Sequence, residues 1–205
     1  MKKNLQNALV LAMGLMTTVS FAQDWNADSR TRIDMSGGVD NAKTDKMSTS
    51  QRATLGYTYG GSDWGIHASS DMSYDVANGA TTTSVYEAYV STDLMGFATL
   101  TAGRQDLSFG SGALISSNSW GMDRYTNDGL SLTANLGGFD LNVGTMGGLD
   151  MDNQYINASG SFAGADVNVL MLNNANDQSA HGYDLSYEMN NFSVSASMNS
   201  DFDGA

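Results

Sequence analysis

From Trp25 onward, polar and apolar residues alternate with a period of two. Trp25, Ala27, Ser29, Thr31, Ile33 and Met35 fall on one side of an extended chain, and Asn26, Asp28, Arg30, Arg32 and Asp34 on the other. The next run sets Ala53, Leu55, Tyr57 and Tyr59 against Arg52, Thr54, Gly56 and Thr58. A third sets Trp64, Ile66, Ala68, Met72 and Tyr74 against Asp63, His67, Ser69, Asp71 and Ser73. An amphipathic helix would repeat its apolar positions at i, i+3, i+4 and i+7, and these runs do not. Similar stretches follow at about 84–94, 97–104, 127–137, 139–146, 154–163, 165–173, 181–189 and 192–200. The pattern predicts an all-β chain of about eleven strands.

Alternation alone also fits a soluble β-sandwich. Two features favour a transmembrane barrel. The apolar face carries aromatic residues at its ends. Trp64 and Tyr74 share one face ten residues apart, and ten residues at roughly 3.3 Å, tilted about 40°, span about 25 Å, the height of a barrel's apolar band. The connections also alternate in length. Short ones fall near Gly60-Gly61-Ser62, 93–96, Gly137-Gly138, Ala163-Gly164 and Asn190-Asn191. Long ones fall near 37–50, 76–83, 105–126, 147–153 and 174–180. Outer-membrane barrels have short periplasmic turns and longer external loops, and nothing in a sandwich sorts its loops this way. The chain has no Pro to interrupt a ladder.

Composition adds three points. Residues 1–22 read as a secretory signal peptide: Lys2 and Lys3 precede an apolar stretch from Ala8 to Met16, and Ser20-Phe21-Ala22 offers small residues at a cleavage site. Residues 23–205 then form the barrel portion, with 7 Lys+Arg against 22 Asp+Glu once Lys2 and Lys3 are removed, a formal charge of −15. Such a charge repels polyanions and argues against nucleic acid. External carboxylates of this kind bridge to lipopolysaccharide through divalent cations, so the expected partners are outer-membrane lipid, lipopolysaccharide and small hydrophilic solutes. The chain has no Cys.

A sheet edge cannot lie open in hydrocarbon, and a single-chain bacterial barrel has an even strand number. The eleventh run ends in Asp201-Phe202-Asp203-Gly204-Ala205, which reads as the start of an external loop. The sequence is thus expected to be the N-terminal portion of a longer barrel. A miscount by one strand and a barrel built from several chains are the alternatives.

The segment 85–133 contains Glu87-Ala88-Tyr89, Gly103-Arg104-Gln105, Phe109-Gly110, Trp120, and Arg124-Tyr125 followed by Asp128-Gly129. In these motifs it resembles the alginate-export-type porins of Gram-negative bacteria. The resemblance is specific over about 45 residues of this segment and architectural elsewhere. It implies a passive outer-membrane channel for hydrophilic solutes, including oligosaccharides or anionic saccharides. Ser111-Gly112-Ala113 stands where the family often has a charged residue, and the acidic balance differs from the basic pore of the alginate exporter.

Polar-face residues of a barrel line its lumen. Arg30, Arg32, Arg52, Glu87, Arg104 and Arg124 are therefore the candidate lining and selectivity residues. Guanidinium groups in a pore attract anions. They are equally expected to pair with neighbouring Asp34, Glu87, Asp106 or Asp123, and the two roles are compatible. Arg104 shares the parity of Ala98 and Leu100, which would aim it at lipid, so the strand is expected to end or bulge at Gly103. The 105–126 segment carries Leu107, Phe109, Leu114, Ile115, Trp120 and Met122 among Gly and Ser. It is expected to fold inward as a constriction, with Phe109, Gly110 and Trp120 as its markers, rather than cover the mouth from outside. His67 and His181 sit in no catalytic motif, so no enzymatic role, cofactor or metal is expected. Asp150-Met151-Asp152 and Asp201-Phe202-Asp203-Gly204 lack the later ligands of a calcium loop. An outer-membrane barrel enzyme and a secreted β-sandwich or adhesin remain the rival readings.

Overall fold

Period-two patterning produces strands where the two faces meet different surroundings, and here it produces a single sheet. In a computed structural model of the chain, residues 22–34, 48–76, 79–148, 152–190 and 192–202 are described. The predicted leader lies outside them except for Ala22, which opens the first strand. So do residues 35–47, 77–78, 149–151, 191 and 203–205, among them Asp150-Met151.

Eleven strands follow in chain order: β1 (Ala22–Asp34), β2 (Ser48–Gly60), β3 (Trp64–Asp75), β4 (Thr81–Leu94), β5 (Ala98–Gln105), β6 (Asn127–Leu136), β7 (Phe139–Met146), β8 (Asn153–Phe162), β9 (Ala165–Asn173), β10 (Ser179–Met189) and β11 (Phe192–Ser200). Each pairs antiparallel with the next, in one sheet ordered β1 to β11 with β1 and β11 at its two edges. This is the up-and-down arrangement of an outer-membrane β-barrel, present as a partial, unclosed wall. No helix among the described residues is long and apolar enough to cross a membrane.

The register fixes the faces. Leu100, Leu132, Val143, Ile156 and Met171 stand opposite one another across β5 to β9, making a continuous apolar row on the outer face. Trp25, Tyr57, Tyr59 and Trp64 form an aromatic chain at the short-turn end of β1–β3, with successive ring centroids 4.7, 6.5 and 5.5 Å apart. Trp64 and Tyr74, the two aromatic ends of β3, are both well exposed on that outer face. Amphipathic rings at both ends of an apolar band suit the two membrane–water boundaries.

The short connections all lie at one end of the sheet and the long ones at the other, as the sequence predicts. The two-residue turns Gly137-Gly138 and Ala163-Gly164 have positive φ throughout, the conformation whose twist matches a hairpin. One irregularity matters for the site. The β3–β4 register shifts between Ser69 and Ser70, so that Glu87 faces Ser69, Val85 faces Ser70, and Tyr86 is the extra residue. Such a bulge re-aims a side chain, and here Tyr86 is buried next to Glu87 rather than exposed with Val85.

Candidate functional site

The inner face is set by the parity opposite the aromatic row. It carries Arg30 and Arg32 on β1, Arg52 and Thr54 on β2, His67, Ser69 and Asp71 on β3, and Glu87 on β4. In an isolated sheet these groups would meet only solvent. Instead many are buried, because the 106–126 connection lies across them. This segment folds inward, and two sets of contacts hold it.

The first set is apolar. Leu107 and Ile115 are buried with Tyr155 on β8, Leu170 and Leu172 on β9 and Ala180 on β10. Phe109 and Leu114 pack against this cluster, with the Phe109 ring 5.2 Å from that of Tyr155. Ser111 N donates to Asp184 Oδ2 at 3.0 Å, and its hydroxyl is 3.2 Å from that of Ser197 on β11. Gly110 has φ +55, and a Cβ there would fall 1.8 Å from Asp184 Oδ2, so a larger residue would strain the backbone and push the carboxylate aside.

The second set is ionic and polar, at the other side of the sheet. Arg124 Nε donates to Asp71 Oδ2 at 2.9 Å, and its Nη2 donates to Asp71 Oδ1 and, at 2.8 Å, to Thr54 Oγ1. Its guanidinium also lies 3.1 Å from the centroid of Tyr86. The bulge has aimed that ring at it, and the Tyr86 hydroxyl donates to Asp106. Both side chains of the Arg124–Asp71 pair are buried. Arg52 donates to the carbonyls of Gly121 and Ser119, the latter at 3.1 Å, and Asp28 lies 3.6 Å from it. Arg30 donates to the same Ser119 carbonyl and sits 4.5 Å from the centroid of Trp120. Arg30 and Arg52 are direct cross-strand neighbours, a like-charge placement that destabilises a bare sheet. The loop carbonyls place partial negative charge between them.

Glu87 faces inward as expected, but it bonds elsewhere. One oxygen accepts from Asp106 N at 3.3 Å, and the other lies 3.4 Å from His67 Nε2. His67 Nδ1 is 2.8 Å from Thr58 Oγ1, and its ring stacks on Tyr89 with centroids 5.0 Å apart. For Arg52, Arg104 and Arg124 the acidic partners therefore differ from those expected. Chain neighbours suggested Asp34, Glu87, Asp106 and Asp123, whereas the described ion pairs join Arg52 to Asp28, Arg104 to Asp128 and Arg124 to Asp71.

Arg104 departs furthest from expectation. β5 neither ends nor bulges at Gly103; it runs to Gln105 with unbroken pairing to β6. Gly103 absorbs the local geometry instead, at φ +130 with no room for a Cβ against the Ala88 carbonyl. Arg104 thus keeps the outward parity of Leu100 and Ala102. It makes a two-pronged pair with Asp128, both bonds 2.8 Å, near the long-loop end of the sheet. A neutralised pair at that rim meets the cost of an outward-facing Arg better than a lone charge would. The lumen-facing role expected of Arg104 does not fit this position.

The inward side of β8–β10 is another departure. Its apolar residues Tyr155, Leu170, Leu172 and Ala180 break the expectation of a polar face. The run Val169-Leu170-Met171-Leu172 is apolar at four consecutive positions, which marks a strand covered on both sides and was the available signal for the docking patch. Tyr86, Asp71 and Thr54 were not singled out in the sequence, because nothing near them in the chain points to Arg124.

No protein-family model matches the chain, and no curated protein does. Among solved structures it is similar to the outer-membrane porin OccD3 (OpdP) of Pseudomonas aeruginosa, with a TM-score of 0.54 at 12% identity. The match covers 89% of this chain and 49% of that one, so the chain spans about half the length of the solved structure it matches. That likeness supports the barrel fold.

Proposed function

We propose that this chain forms part of an outer-membrane channel that passes small hydrophilic solutes passively, without enzymatic activity. The observation that carries this reading is the 106–126 loop lying across the polar inner face while the outer face carries an apolar row from β5 to β9, with its Arg104–Asp128 pair confined to the long-loop end. A loop held inside a barrel narrows the space left for solute. In this reading Arg30, Arg32 and Glu87 line the narrowed stretch, Arg52 and Arg124 stand buried beneath the loop beside it, and Phe109, Gly110 and Trp120 belong to the constriction. Arginines that anchor a constricting loop also leave positive potential beside the path, so holding the loop and setting selectivity are compatible. The resemblance of segment 85–133 to alginate-export-type porins favours saccharide solutes within the hydrophilic class. The acid-rich long loops suit a face toward lipopolysaccharide and divalent cations.

Planar lipid bilayers test the reading. The purified protein is expected to give discrete conductance steps, and a folded barrel that conducts nothing would remove the proposal. Replacing Arg30 and Arg32 together by Ser should move the reversal potential toward cation preference. An unchanged potential would take those two residues out of selectivity.

A further inference from the structure

A cleft of about 570 Å³ opens on the inner face where loop residues 108–111 arch over β8–β11. It lies beyond the arginine-anchored half of the loop, and its chemistry differs. Its floor is a directed chain of buried polar groups. Asn157 Nδ2 donates to Asn168 Oδ1 at 2.7 Å, and Asn168 Nδ2 donates to Asp184 Oδ2 at 3.2 Å. Both amides are more than nine-tenths buried. Ser111 N adds a second donor to the same carboxylate oxygen. Asp184 Oδ1 is left buried with no hydrogen-bond partner. The Ser197 and Ser111 hydroxyls flank this carboxylate, and a ligand hydroxyl entering the cleft would add the donor that Oδ1 lacks.

The walls supply the rest. Ser159, Ser186, Ser195 and Ser197 border the cleft, and each hydroxyl both donates and accepts. Phe109 also borders it, its ring held in place by Tyr155. Paired donor–acceptor hydroxyls, a carboxylate acceptor and one aromatic wall match a pyranose, which offers hydroxyls at its rim and C–H groups on its faces. Among the described residues, the ionisable ones lining the cleft are Asp166 and Asp184, which oppose a uronate. An ammonium, being a donor only, would leave the seryl donors idle. The volume lies within the usual range of small-molecule sites.

We propose that this cleft is a subsite for neutral saccharides, with Asp184 Oδ1 accepting a sugar hydroxyl and Phe109 facing the ring. The inference rests on the channel reading, because solute would reach the cleft from the lumen. The full chain in lipid nanodiscs is tested by saturation-transfer NMR with maltose, digalacturonate and a glucosamine disaccharide. Transfer to maltose is expected, with little to digalacturonate. Ser195→Leu, which fills the cleft from β11 without touching the loop's hydrogen bonds, should weaken maltose binding about tenfold or more, as should Asp184→Asn. Equal maltose binding in wild type and Ser195→Leu would overturn the proposal, as would binding of the glucosamine disaccharide alone or of none of the three. The same protein in planar bilayers separates the two readings. Conductance steps accompanied by no maltose binding remove the saccharide subsite and leave the channel, whereas a folded protein without conductance removes the channel.

Discussion

The charged side chains of the inner face are held by groups distant in sequence. Arg124 reaches Asp71 and Thr54, and Arg30 and Arg52 share a loop carbonyl. Removing one member of a buried pair leaves the other desolvated and uncompensated, typically at a cost of about 3–5 kcal/mol. Arg124→Met should therefore release the 117–126 half of the loop while leaving the strands intact. The expected readouts are faster amide exchange across that half and a larger single-channel conductance. Joining it to Asp71→Leu should recover part of the loss, since the orphaned carboxylate is then gone. Amide exchange in the single variant that matches the wild type would show that the pair does not hold the loop.

At the scale of elements, the hairpins and the loop answer to different physics. The short turns are set by backbone conformation. Ala163 holds φ +53 in the β8–β9 turn, where an L side chain is strained by roughly 1–2 kcal/mol. Ala163→Gly should relieve that strain and stabilise the barrel by up to about 1 kcal/mol, after the entropy glycine adds to the unfolded chain. Urea unfolding of the micelle-bound protein, followed by tryptophan emission, checks it. An unchanged or lower midpoint would contradict the assigned strain. The long loop is set by packing. Its first half settles on an apolar patch of β8–β10 and its second half on ionic groups of β1–β4, so each half is anchored by a different kind of interaction and responds differently to salt. Screening weakens the ionic anchor more than the apolar one.

Over the whole molecule, one sheet presents an apolar face and a polar face. Adjacent residues of β6 should therefore respond in opposite ways to the same substitution. Leu132 sits mid-row on the outer apolar face, and its neighbour Thr133 points inward. Leu132→Arg is expected to cost about 2–4 kcal/mol in lipid if the position lies near the midplane, while Thr133→Arg should be tolerated. Refolding yields and unfolding midpoints in vesicles compare the two directly. Equal penalties at both positions would mean that the outer face does not meet hydrocarbon, and the channel reading would fall with it.

The sequence by itself determined the strands, their number, which side chains share a face, and the sorting of connections into short and long. These are local properties: a period of two, a Gly-Gly turn or an aromatic at each end of a run can be read within a dozen residues. It also marked 105–126 as a loop with apolar residues to bury. Only the tertiary structure decided where they are buried, because the receiving patch, Tyr155, Leu170, Leu172 and Ala180, is brought together by the register of three strands. The same holds for charge. Arg124 and Asp71 lie 53 residues apart, and the bulge at Tyr86 that completes their setting depends on how β3 meets β4. Arg104 shows the limit from the other direction. Its outward parity was legible, but its accommodation required Asp128 across the β5–β6 ladder, a partner fixed by strand pairing and not by proximity in the chain.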